Sequence, residues 1–305
     1  MIRSVKVTNP RSNSLLLELY YPERSGYIVA GIDGLGPVTA NINYTEIATM
    51  DGAIYNSSRV PVRNIVFHIV YDEDTGDIEV LRHKLYKYFP IKQQINLEFT
   101  TDERVVTISG IVESNEVSVF SSLEGSDISV LCPDPYFYKV GSGNETIFSV
   151  EEPAFEFDFE DDEETTPSLV MSSLDIYQTK LITYEGDTET GLTITIHAIG
   201  SASNLVIYNY LTGESMSLDT TKLEALTGSG IVAGDDIIIS TVKGNKYVHL
   251  IRSGVTTNIL NCLNRDASWL QMVPGDNVFA YVTDPVSGAL NLQIKMNNKI
   301  VYEGI

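Results

Sequence analysis

Asp127–Phe137 reads DISVLCPDPYF. Ile128, Val130 and Cys132 alternate with Ser129 and Leu131, the period of a β-strand. The run stops at Pro133-Asp134-Pro135, where two prolines extend neither a ladder nor a helix. Before the stop, the sequence predicts short strands around one helix. After it come Gly141-Ser142-Gly143-Asn144, an acidic run and a second set of strands. The stop divides the chain into residues 1–138 and 139–305, each long enough to bury a core of its own.

Charge separates the two parts. Residues 1–139 carry 12 Lys/Arg and 18 Asp/Glu, net −6, and residues 140–305 carry 8 and 23, net −15, which together give the −21 of the chain. Neither part has the basic footprint of a nucleic-acid ligand site. Cys132 and Cys262 lie on opposite sides of the stop, with no Cys or His at metal spacing, and are expected as buried free thiols. No stretch approaches 18 uninterrupted apolar residues and the N-terminus has no apolar leader, which predicts a soluble protein made in a cytosol.

In the first part, Ser14–Tyr21 (SLLLELYY) is apolar enough for a strand buried on both faces. Gly31-Ile32-Asp33-Gly34-Leu35-Gly36-Pro37 has the spacing G-x-x-G-x-G, not the dinucleotide G-x-G-x-x-G, and is expected as a loop between strands. Asn64–Tyr71 alternates apolar residues on both faces, with His68 a satisfied interior or interface histidine. Asp72–Asp77 reads as a solvated turn, because it lacks the Gly and distant Glu of a calcium loop. Asp77 is placed to cap a helix over Ile78–Phe89, whose stripe is Leu81, Leu85 and Tyr88/Phe89 and which Pro90 ends. Strands follow at 95–100, 104–109 and 111–120, with a bend at Gly110. The first part is therefore predicted as a small antiparallel β-barrel, split barrel or pair of packed sheets with one α-helix.

The second part is mainly β. Leu192, Ile194, Ile196 and Ala198 alternate with Thr193, Thr195 and His197, and turns at Thr212-Gly213, Lys243-Gly244, Pro274-Gly275 and Ser287-Gly288 separate similar strands. That rhythm predicts a jelly-roll β-sandwich with one short helix within Asp219–Gly230. Glu151–Glu164 interleaves Phe155, Phe157 and Phe159 with acids, a strand with one buried face running into a solvated loop; a calcium site is the minor alternative.

No residues nominate a catalyst. The chain has no G-x-S-x-G, H-E-x-x-H or Walker loop, and His68, His83, His197 and His249 are scattered. No catalytic residue, cofactor or metal ligand is assigned, and the chain is not expected to be an enzyme. Trp269 has two readings: a face on which a sugar ring stacks, or a large residue sealing the sandwich core.

Several segments occur in a telling order: GIDGLGP, MDGAIYNSSRVPVRNIVFHIVY, LRHKLYKYFP, ISGIVESNEVSVF, ISVLCPDPYFY, then AGDDIIISTVKGNKYV, SWLQMVPGDNVFAY and LQIKMNNKIVYEGI. In this order they resemble the siphophage distal tail protein (Dit) family, with residues 141–190 outside the likeness. The resemblance implies a structural protein of the virion tail tip, synthesised in a bacterial host's cytoplasm. Residues 1–138 would form a hexameric ring with copies of the same chain, joining the tail tube protein to tail fibre, baseplate or receptor-binding proteins. Residues 139–305 would form an outer galectin-like platform. DNA would pass through without being bound. Arg59 and Arg63, flanking Pro61, are candidates for ion pairs between subunits, with bonds inside one subunit the alternative. A different-class alternative is a lectin-like adhesion protein that holds a host cell-wall glycan, through Trp269 among others.

Overall fold

The structure, a computed structural model, describes residues 1–49, 51–119, 123–141, 144–153, 172–176, 179–284, 289 and 291–305. The chain divides into two units, Met1–Gly141 with Val301–Ile305, and Ser142–Ile300. The first holds β1 (Ile2–Thr8), β2 (Ser14–Glu18), β3 (Tyr27–Asp33), β4 (Asn41–Glu46), β5 (Ala53–Arg59), β6 (Arg63–Tyr71), α1 (Ile78–Tyr88), β7 (Gln94–Thr101), β8 (Val105–Ser118), β9 (Gly125–Cys132) and β10 (Phe137–Lys139), and takes back β24 (Val301–Tyr302). Its main sheet runs β2-β1-β7-β8-β9-β6-β3, with β10 between β8 and β24.

Alternation explains the core. Ile65, Phe67 and Ile69 of β6, Leu97 and Phe99 of β7, and Ile128 and Val130 of β9 are all buried on one face. β8 and β9 separate Phe67 from Phe99 in the sheet, yet the two rings lie 6.4 Å apart, and Phe137 and Phe89 extend the cluster at 5.9 and 5.7 Å. The sheet therefore curves around its own inner face. Asp77 caps α1 by accepting from the Glu79 N–H, and Leu81, Leu85 and Phe89 bury the helix against that cluster. Burying each of these large side chains contributes roughly 1.5–3 kcal/mol.

The curved sheet does not close into the barrel that strand count alone suggested; β2 and β3 remain as its two edges. The link between them makes a 3-10 turn at Pro22–Arg24, and the proline there has no N–H for a ladder. Edge position also corrects Ser14–Tyr21: with the core on one side only, Leu15 and Leu17 are buried and Leu16 is exposed. On β6, likewise, one face is buried and the other half-exposed.

The second unit contains β11 (Asn144–Ile147), β12 (Ser149–Pro153), β13 (Ser172–Ile176), β14 (Thr179–Tyr184), β15 (Thr190–Ala198), β16 (Val206–Asn209), β17 (Glu214–Ser217), α2 (Thr220–Thr227), β18 (Asp236–Ser240), β19 (Tyr247–Arg252), β20 (Val255–Asn258), β21 (Gln271–Met272), β22 (Gly275–Val282) and β23 (Leu292–Asn298). One sheet runs β11-β23-β15-β18-β19-β20 and a second β14-β22-β16-β17. Their buried rows, Ile194, Ile196, Ile239 and Ile294 on one and Ile182, Ile207, Phe279 and Tyr281 on the other, form a sandwich core. Phe148, just after β11, meets Tyr281 of β22 at 5.8 Å across it. Asp219 caps α2, which ends at left-handed Gly228. Phe155, Phe157, Phe159 and most of the acidic run, with Ser287-Gly288, lie outside the described residues.

Gly110 is not a bend between two strands. It sits inside the single strand β8, where an added Cβ would lie 2.5 Å from Val130 Cγ1 and 2.8 Å from Cys132 Sγ. The irregularity falls between Val112 and Ser114 instead. Gly110→Ala is expected to destabilise the first unit by about 1–3 kcal/mol through overpacking, read as a lower urea midpoint at unchanged m-value; an unchanged midpoint would show that β9 yields freely there.

Candidate functional site

Arg63 opens β6 and is 2% exposed. A guanidinium has five N–H donors in a fixed plane, and here four bonds go to main-chain carbonyls. Nε donates to Pro135 at 2.6 Å, Nη1 to Gly34 at 2.5 Å and Gly36 at 2.6 Å, and Nη2 to Glu303 at 2.5 Å. The guanidinium carbon lies 4.5 Å from the Phe137 ring centroid. Burial lowers the Arg63 pKa from its ordinary value. A guanidinium starts so high that it stays charged, so the carbonyls serve as its solvent.

The glycine pattern around residue 34 now has a physical reason. Gly34 has φ +82°, and a Cβ there would sit 2.0 Å from the Asn64 carbonyl oxygen. The loop turns so tightly that two of its carbonyls reach one side chain. Beyond Glu303, Arg104 lies 4.0 Å over the Tyr302 ring and donates to Gly304, while the Ile305 N–H donates to Leu35. β24 pairs with β10 through Phe137 with Tyr302 and Tyr138 with Val301. Arg63 thus bonds within its own chain and is closed to a neighbouring subunit. Cys132, its register partner on β9, is a buried free thiol whose pKa burial pushes up to about 11.

Arg59 is placed quite differently. It ends β5, which among the described residues pairs only with β4, and every described residue from 39 to 60 is exposed. The hairpin carries Ile42, Tyr44, Ile54 and Tyr55, with Tyr44 at 59% and Tyr55 at 62% exposure. Among the described residues Arg59 makes no ion pair. A two-stranded hairpin is marginal in water without a surface to lie on.

His68 projects from the outer face of β6 between Asp127 of β9, 2.7 Å from Nδ1, and Asp33 of β3, 3.2 Å from Nε2. Its pKa is raised, first by the bond to Asp127 and then by that to Asp33. Cross-strand register brings these residues together, so their separation in sequence concealed them. Trp269 is half-buried, with Lys246 Nζ 5.1 Å from its ring centroid. It neither seals the core completely nor offers that face freely to a sugar. No group of three or more His, Cys, Asp or Glu fit to hold a metal occurs among the described residues.

Residues 17–131, from β2 to the end of β9, match the family model of the phage tail protein RIFT-related domain. That part of the chain is similar to a phage tail domain. Over almost its whole length the fold is similar to the crystal structure of SPP1 Dit, described as a paradigm of the hub adsorption apparatus in phages infecting Gram-positive hosts, at TM-score 0.63 and 11% identity over 97% of this chain and 98% of that one. Two structures of the phage P2 baseplate in its activated conformation also match. With calcium, the TM-score is 0.47 at 10% identity over 100% of both chains; with strontium, it is 0.44 at 10% identity over 98% of both. A comparison with curated proteins finds no match.

Two outcomes follow from this geometry. Arg63→Met, which removes a buried guanidinium and leaves four part-buried carbonyls without their donor, should lower unfolding free energy by about 2–4 kcal/mol. Arg63→Lys should recover little, since an ammonium lacks the planar fork; full recovery by Lys in urea titrations would refute the cage. His68, whose folded pKa is raised, adds stability that is complete below its unfolded value of about 6.5 and is lost as pH rises through the folded value. His68→Asn should therefore flatten the stability profile just above pH 6.5. The effect is small, because the site is partly exposed.

Proposed function

We propose that the chain is the hub of a long-tailed phage's tail tip, its first unit forming a hexameric ring and its second an outward platform for baseplate or receptor-binding proteins. The observation that carries this reading is the β4–β5 hairpin. It places four large apolar side chains in solvent, while among the described residues β5 pairs with β4 alone and β2 and β3 leave two sheet edges unpaired. Head-to-tail closure into a ring gives each hairpin a neighbour to lie on and leaves no subunit at an open end. Arg59 then meets a carboxylate of that neighbour. The fold likeness to the SPP1 hub protein supports the same assignment.

A ring of this kind encloses a conduit between the tail tube and the fibre proteins. With a net charge of −21 on each chain, subunits repel DNA phosphate instead of gripping it, so the genome slides through.

Light scattering over a concentration range tests the ring. The expected mass is about six times the 33.7 kDa chain. Tyr44→Asp combined with Tyr55→Asp should reduce it to that of one chain while leaving the urea midpoint in place, because both rings are exposed in the subunit. A double variant that keeps the full ring mass would exclude the hairpin as its interface.

A further inference from the structure

The outer face of the four-stranded sheet in the second unit is apolar where an exposed sheet face is ordinarily polar. Register sets three rows on it. Leu181, Val278 and Tyr210 form one, Thr179, Ala280, Tyr208 and Ser215 the next, and Val282, Val206 and Ser217 the third. Leu181 is 60% and Tyr210 61% exposed. The two tyrosine rings meet edge to face at 4.8 Å, and their hydroxyls hydrogen-bond to each other at 3.1 Å. That bond fixes both rings, so little side-chain entropy remains to be lost on contact.

Charge identifies what covers the face. Over the four strands the charged residues are Lys180, Asp276 and Glu214, and Lys180 turns its Nζ to the Ile147 carbonyl. Asp276 shares the outer face with Thr183, which donates to it at 2.7 Å, and Asp284 follows the far end of β22. The 264–268 segment, which bonds along β17, adds exposed Arg265 and Asp266 at that edge, so among the described residues Asp266, Asp276 and Asp284 outnumber the one cation there, Arg265, around an uncharged centre. A second copy would bring these carboxylates against their own kind. A sugar ring needs an open aromatic plane, whereas these tyrosines are set edge to face beside exposed leucine. Rigid tyrosine and leucine inside a charged margin match the centre and rim of a protein interface.

We propose that this face docks a different tail protein, one presenting an apolar patch bordered by Lys or Arg. The proposal rests on the hub reading and names the platform's contact surface. It is tested in tails purified from phage-producing cells, with p-benzoylphenylalanine in place of Tyr210 and, separately, in place of Tyr55 on the hairpin. On irradiation the probe at 210 should form an adduct with another tail protein, on a peptide that includes Lys or Arg. Leu181→Asp with Tyr210→Asp should lower that partner's occupancy in the tails about tenfold or more. If the probe at 55 links two copies while that at 210 links only to a second copy, to glycan or to nothing, the docking face is wrong and the hub stands. If neither probe forms an adduct, the hub reading falls and the docking face falls with it.

Discussion

One buried cation organises the N-terminal unit. Arg63 draws four carbonyls to itself from three places far apart in sequence: the 34–36 loop, the Pro135 stop after β9, and Glu303 beside β24. A buried charge left unpaired costs more than a neutral polar group, so each of these segments is held in place by the need to solvate it. The proline stop that divides the sequence also serves this bond. Pro133 and Pro135 stiffen the exit from β9, and the Pro135 carbonyl points at the guanidinium rather than at a ladder partner.

Arg63 also marks the limit of what sequence shows. Periodicity revealed α1, the alternating strands and the sandwich, because those patterns are local: Asp77 before Leu81 and Leu85, or Leu192, Ile194 and Ile196 in steps of two. The motif likeness to tail proteins likewise drew on contiguous runs. A cage assembled from residues 34, 36, 63, 135 and 303 has no local pattern. The G-x-x-G-x-G spacing signalled a tight turn, but not that its carbonyls face a cation. For the same reason Arg59 and Arg63 looked equivalent beside Pro61, although one is exposed on a hairpin and the other is the most enclosed charge of its unit. His68 shows the same limit, since Asp33 and Asp127 become its neighbours only through strand register.

Exposure is equally difficult to read from composition. Ile42 and Tyr44 alternate as buried strand residues do, Tyr55 pairs with Tyr44 across the hairpin, and nothing in their order says that no core lies beneath them. The same holds for Leu181, Tyr208 and Tyr210. A period-2 pattern states which residues share a face. Whether the protein's own core or a partner covers that face depends on how many sheets the chain has to stack, which is a property of the whole fold.

The return of β24 has a consequence for how the two units relate in the chain. Residues 142–300 are inserted between β10 and β24, two strands that pair with each other. Arg63 and Arg104 bind the carbonyls of Glu303 and Gly304 on the returning side, and Pro135 binds Arg63 on the outgoing side. Both ends of the insertion are therefore anchored by the same unit, and a fragment that stops at residue 138 leaves β10 without β24 and Arg63 without one of its carbonyls. The N-terminal unit is thus discontinuous by physical necessity. The inserted sandwich is free to differ in size and surface as long as the chain comes back to complete the cage.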